Sequence, residues 1–177
     1  MKSKEENKSQ LLDYTMRAGI LLGLFWVIKY LLVIFGTQYP IISTIGSILS
    51  LGTPLLLFHF LIKYNTEWMN HKMSYGQGVR FSILLFFFAS ILEALMVFIH
   101  VRWIDPAFIA QLFEGLIELA ETMEISKALG AQLAEQPLPN PFAYIFSNVI
   151  MANVFLGLVL SLLIVPVAMR YKPRQHK

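Results

Sequence analysis

The chain contains no cysteine, which excludes disulfides, thiolate nucleophiles, iron-sulfur clusters and thiolate zinc sites. Charge is scarce as well. Only 14% of the 177 residues are Asp, Glu, Lys or Arg, against roughly 25% in an ordinary soluble domain. No P-loop, G-x-S-x-G, H-E-x-x-H or glycine-rich dinucleotide turn occurs, so the chain is not expected to be an enzyme. His59, His71, His100 and His176 are dispersed, and no two have the helix-face spacing of metal ligands beside a carboxylate. Neither a metal nor another cofactor is expected.

What is abundant is apolar. Hydrophobic residues make up 56% of the chain and mean hydropathy is +0.62, more than a soluble domain of this length could keep from water. Four runs have the length that crosses a bilayer: about 11–35, 41–62, 78–101 and 142–169. The fold class is therefore all-α: a single membrane domain over residues 1–177, with four transmembrane helices. Met1–Gln10 is polar and is expected to be irregular or surface-lying. Ser74 and Gln77 have the spacing of a capping box at the start of the third run. In the second run Pro54 removes a backbone donor, which predicts a kink.

Between the third and fourth runs, Asp105-Pro106 reads as an N-cap and first helical position. Ile109, Leu112, Leu116, Leu119 and Met123 recur at steps of three and four, and Glu114, Glu118, Glu121 and Glu124 occupy much of the remainder. This predicts an amphipathic helix over about 106–135. Interfacial helices usually meet anionic lipid with Lys and Arg. This one carries acids, so its apolar stripe is expected to dock on the bundle or on another protein.

Basic residues set the orientation. With both termini cytoplasmic, eleven fall inside (Lys2, Lys4, Lys8, Arg17, Lys63, Lys72, Arg80, Arg170, Lys172, Arg174, Lys177) and only Arg102 and Lys127 outside. A net charge of +3 thus reports topology rather than nucleic acid. The expected location is a cell inner membrane, with the lipid bilayer as the obligate partner and a homo-oligomer or another membrane protein as a further one. Tyr14, Tyr64, Trp68, Tyr75 and Tyr171 anchor the inner boundary, and Tyr39, Trp103 and Tyr144 the outer one.

Two charges lie inside the runs. Lys29 is fifteen residues from Tyr14 and Glu93 thirteen from Arg80, so at about 1.5 Å per residue both reach a similar depth in the outer half. Asn153, sixteen residues from Met169, falls in the same layer, and His100 shares a helix face with Glu93 seven residues on. Each charge costs about 2.5–3.5 kcal/mol at a helix centre, which favours contacts inside the bundle. Depth permits a Lys29–Glu93 ion pair, although Lys29 can also snorkel outward. The layer is either a structural brace or a working polar site.

The glycine-containing first span, the SYGQG segment at Ser74–Gly78 and above all WIDPAF at Trp103–Phe108, opening an acidic outer helix, together resemble a family of small four-span inner-membrane proteins of Bacteroidota with a domain of unknown function. The resemblance covers almost the whole chain. It implies this fold and a bacterial inner membrane, and brings no catalytic residues. Two functions stay open: a non-enzymatic accessory or assembly component acting through its bundle and periplasmic helix, and a small oligomeric transporter or channel component using Lys29, Glu93 and Asn153.

Overall fold

The computed structural model describes residues 2–36, 39–122, 131 and 135–171. Every described element is helical, and four helices are long and apolar enough to cross a membrane: Gln10–Gly36, Thr44–Trp68, Tyr75–Ile104 and Pro141–Arg170. The shortest has 25 residues, about 37 Å at 1.5 Å per residue, against about 30 Å of bilayer hydrocarbon. Their outer surfaces are apolar, with Leu55, Phe155 and Leu163 each more than 60% exposed. Such a surface is stable against lipid and not against water, so the chain is a multi-pass membrane protein.

The first helix, α1 (Lys2–Gly36), starts earlier than the sequence reading placed it. The polar segment before Gln10 contains three Lys and two Glu, good helix formers, and it continues the helix instead of ending it. The second span is broken in two: α2 (Pro40–Leu49) and α3 (Gly52–Lys63) are separated by a turn at Ser50–Leu51. Pro54 is the cause. Its ring crowds the carbonyl four residues back, at Ser50, and Leu51 N–H instead donates to Ile48 O at 3.1 Å.

The third span, α4 (Tyr75–Ile99), opens with the expected capping box. Ser74 N–H donates to Gln77 Oε1 at 2.8 Å, and Gln77 N–H to Ser74 Oγ at 3.4 Å. Beyond Ile99 the helix widens into a π-helical segment, π2 (His100–Ile104); a similar segment, π1 (Tyr64–Trp68), ends the second span. The outer helix, α5 (Phe108–Thr122), begins two residues later than predicted. Asp105 does cap the turn, its Oδ1 accepting from Ala107 N–H at 3.1 Å, but Pro106 and Ala107 are spent on that turn. The fourth span comprises α6 (Pro141–Tyr144), a seven-residue π-helical segment π3 (Ile145–Met151) and α7 (Ala152–Arg170). Asn140 caps it by accepting from Ala143 N–H at 2.8 Å.

Helix α4 is the centre of the bundle, packed on α1 along one side and on the fourth span along another. Gly19 and Gly23 make the first contact possible. A Cβ on Gly19 would lie 2.6 Å from Phe88 Cβ, and one on Gly23 would lie 2.9 Å from the Ala89 carbonyl oxygen. The G-x-x-x-G spacing therefore brings two backbones together. On the opposite side Gly157 receives the Phe86 ring, 2.6 Å from where its Cβ would stand.

The bundle has two unlike halves. At the end holding the first and last described residues, hereafter the terminal end, Tyr14 stacks on Tyr64 and Tyr64 on Phe81, with ring centroids 5.8 and 4.7 Å apart. Above them Leu22, Trp26, Leu57, Leu61, Leu85 and Phe86 are almost completely buried, and Trp26 Nε1–H donates to Thr53 Oγ1 at 3.1 Å. At the distal end the second span contributes less. Helix α2 packs chiefly on α1, and a smaller core of Ala94, Val97, Val101, Ile109, Ile145 and Val149 leaves room between helices.

Candidate functional site

Glu93 lies where the two cores meet. Its face of α4 carries Phe86, Glu93 and Val97, and the fourth span answers with Gly157, Asn153 and Val149. Glu93 is 9% exposed as a residue. Asn153 Nδ2–H donates to Glu93 Oε2 at 2.5 Å, so an amide from one span neutralises part of the cost of a carboxylate on another. A buried acid is tolerated in a bilayer when such a partner exists.

Beside this pair is a cavity of about 210 Å³, lined by Tyr30, Glu93, Val97, Tyr144, Asn148, Val149 and Asn153. At about 30 Å³ per water it has room for roughly seven waters. Its lining extends from Asn153 to Tyr144, the latter in the first turn of the fourth span, so the cavity runs from the middle of the bundle toward the distal end.

Asn148 reaches the cavity because of π3. In an α-helix, residues five apart point roughly 140° away from each other. A π-helix closes its hydrogen bonds between i and i+5, and the wider turn brings Tyr144, Asn148, Val149 and Asn153 to one side. The sequence reading places Tyr144 at the boundary and does not single out Asn148, which α-helical spacing would set on a different face from Asn153. The available signal was chemical: Asn148 and Asn153 are the two asparagines of an otherwise largely apolar span.

Tyr30 joins the cavity to the distal end. Its Oη shares a 2.8 Å hydrogen bond with His100 Nδ1, and the two rings meet edge to face. His100 is buried and packs against Phe108 at the start of α5, with centroids 4.8 Å apart. Tyr30, His100 and Phe108 thus form a continuous contact from the polar cavity to α5. A larger, mainly apolar cleft of about 510 Å³ lies on the other side of this contact, lined by residues that include Ile34, Phe35, Ile104 and Leu112.

Lys29 does not line the cavity. It is half-buried, with Nζ 5.9 Å from the Trp26 ring centroid. It is within electrostatic range of Glu93, yet the ion pairs among the described residues are Arg17–Asp13 and Lys63–Glu67. The neighbouring residue, Tyr30, is the one that α1 turns toward the cavity. Lys29 and Glu93 are therefore not in direct contact, and Asn153 is the partner of the carboxylate.

The predicted apolar stripe of α5 is divided. Ile109 is buried in the distal core, with Phe113 packed against that core and Ala120 buried further along the helix. Leu112, Leu116 and Leu119 are exposed, as are Glu114 and Glu118. Met123 and the continuation to 130 lie outside the described residues. Among the described residues no group of three or more His, Cys, Asp or Glu side chains could hold a metal ion.

Neither a curated protein nor a solved structure matches this chain. A family described as "Protein of unknown function (DUF4199)" matches residues 17–170, and the chain belongs to that family.

Proposed function

We propose that this chain is a non-enzymatic accessory or assembly component of a bacterial inner membrane, with both termini cytoplasmic and α5 on the periplasmic side. The basic asymmetry of eleven residues to two supports the orientation. One observation carries the role. Helix α5 is tethered at its start, through Phe108 on His100 and Ile109 in the distal core, while Leu112, Leu116 and Leu119 stay exposed on the described chain. Six acids between Asp105 and Glu135 make an anionic lipid surface a poor match for this helix, and another membrane protein or a second copy a better one. Photo-crosslinking from position 116 in native membranes tests this. A discrete protein adduct is expected, and adducts to lipid alone would refute it.

A second reading, a small transporter or channel component using Lys29, Glu93 and Asn153, is favoured by the polar cavity. Trp26, Leu57, Phe81 and Phe86 fill the bundle below that cavity, so a path would have to form between copies in an oligomer. Proton or ion flux into liposomes that is abolished by Glu93→Gln would support it; equal flux with and without the protein would exclude it.

A further inference from the structure

The hydrogen-bond inventory of the cavity points to the chemistry of an occupant. Three of its four side-chain amide hydrogens are spent inside the protein, which leaves one on Asn153 and the Tyr144 hydroxyl. Asn148 Nδ2 donates to the Tyr144 carbonyl oxygen at 3.3 Å and to Ser147 Oγ at 3.1 Å, Asn153 Nδ2 donates to Glu93 Oε2, and the Tyr30 hydroxyl is engaged by His100. The acceptors are not spent. Glu93 Oε1, Asn148 Oδ1 and Asn153 Oδ1 have no hydrogen-bond partner among the described residues. A carboxylate with spare amide oxygens is a lining that takes a cation.

Charge and size narrow the class. One carboxylate, and no second acid in the lining, balances one positive charge; calcium sites recruit six to eight oxygens, commonly from several carboxylates. A volume of about 210 Å³ is several waters too large for a bare alkali ion and suits a cation of a few heavy atoms. Tyr30 and Tyr144 on the walls supply aromatic faces of the kind that attract alkylammonium ions. We propose that the cavity is a binding site for a small monovalent organic ammonium ion, entering from the distal end. Glu93 carries the countercharge, Asn148 and Asn153 accept from N–H groups, and the tyrosines cover the alkyl part.

The site depends on the cavity alone and not on the accessory role proposed above. Saturation-transfer NMR on the full chain in detergent tests it, with methylammonium and tetramethylammonium as probes and sodium or potassium as competitors at fixed ionic strength. The wild-type chain should bind an ammonium probe. Glu93→Gln should weaken binding by at least tenfold. Tyr144→Leu, which keeps Glu93 and its amide partner, should weaken the ammonium probes several-fold. Binding by wild type and Glu93→Gln alike overturns the site. Displacement of the probes by low sodium or potassium, with Tyr144→Leu unchanged, overturns the ammonium assignment. Failure of any probe to bind a chain that melts cooperatively overturns the proposal outright.

Discussion

The contact between Glu93 and Asn153 makes a quantitative demand on stability. Replacing Asn153 with alanine removes the amide that donates to Glu93 Oε2 and leaves the carboxylate of Glu93, a residue 9% exposed, without its partner. Hydrogen bonds to charged groups contribute about 1.5–3 kcal/mol in water-soluble proteins. Interhelical hydrogen bonds within membranes average about 0.6 and reach about 1.7 kcal/mol, because the chain unfolded in the membrane also finds partners. Burial of an acid puts this pair at the upper end, so Asn153→Ala should cost about 1.5 kcal/mol. In a Glu93→Gln background the neutral acceptor forms a bond roughly half as strong and leaves no charge behind, and the same substitution should cost about 0.5 kcal/mol. The coupling of about 1 kcal/mol is measurable by reversible unfolding in mixed micelles, followed through tryptophan emission. If Asn153→Ala costs the same in both backgrounds, the two side chains do not interact and the polar layer is not organised around this bond.

The glycines separate into two classes by the same assay. Gly157→Val forces a branched side chain against Phe86 and should destabilise by about 1–3 kcal/mol through overpacking, whereas Gly115→Ala, with nothing within 4 Å, should be neutral or stabilise α5 by up to about 1 kcal/mol; the reverse order would mean that the fourth span packs through another face. Ser74→Ala removes the cap on α4 and should cost about 1 kcal/mol, with amide exchange rising in the first turn of α4 rather than around Glu93.

Much of the fold is legible in the sequence because it rests on one-dimensional quantities. The four apolar runs, the capping box at Ser74 and the break ahead of Pro54 depend on composition, local spacing and a proline ring, and each is where the sequence places it to within a few residues. Depth along a span is also one-dimensional, which is why Glu93 and Asn153 could be assigned to one layer. Rotation about the helix axis is not. On α1 it is Tyr30, not Lys29, that lines the cavity, and nothing in the local sequence distinguishes the two neighbours. Asn148 is hidden for a related reason, since π3 changes the angle per residue within a span read as uniform α-helix. In α5 the periodicity supports two apolar faces, Ile109 with Phe113 and Leu112 with Leu116 and Leu119, and only tertiary packing selects the first for burial.

The central claim is that a dry, aromatic terminal half is topped by a hydrated polar cavity around Glu93 that reaches the distal end. Because the chain has no cysteine, single cysteines introduced at 148, 57 and 165 can each be exposed to a membrane-impermeant thiol reagent in sealed vesicles of known orientation. Asn148→Cys should react from the distal side only, and Leu57→Cys and Val165→Cys, whose native side chains are fully buried, should react from neither. Protection of position 148 together with labelling at 57 or 165 would place the water in the wrong half of the bundle and contradict the account.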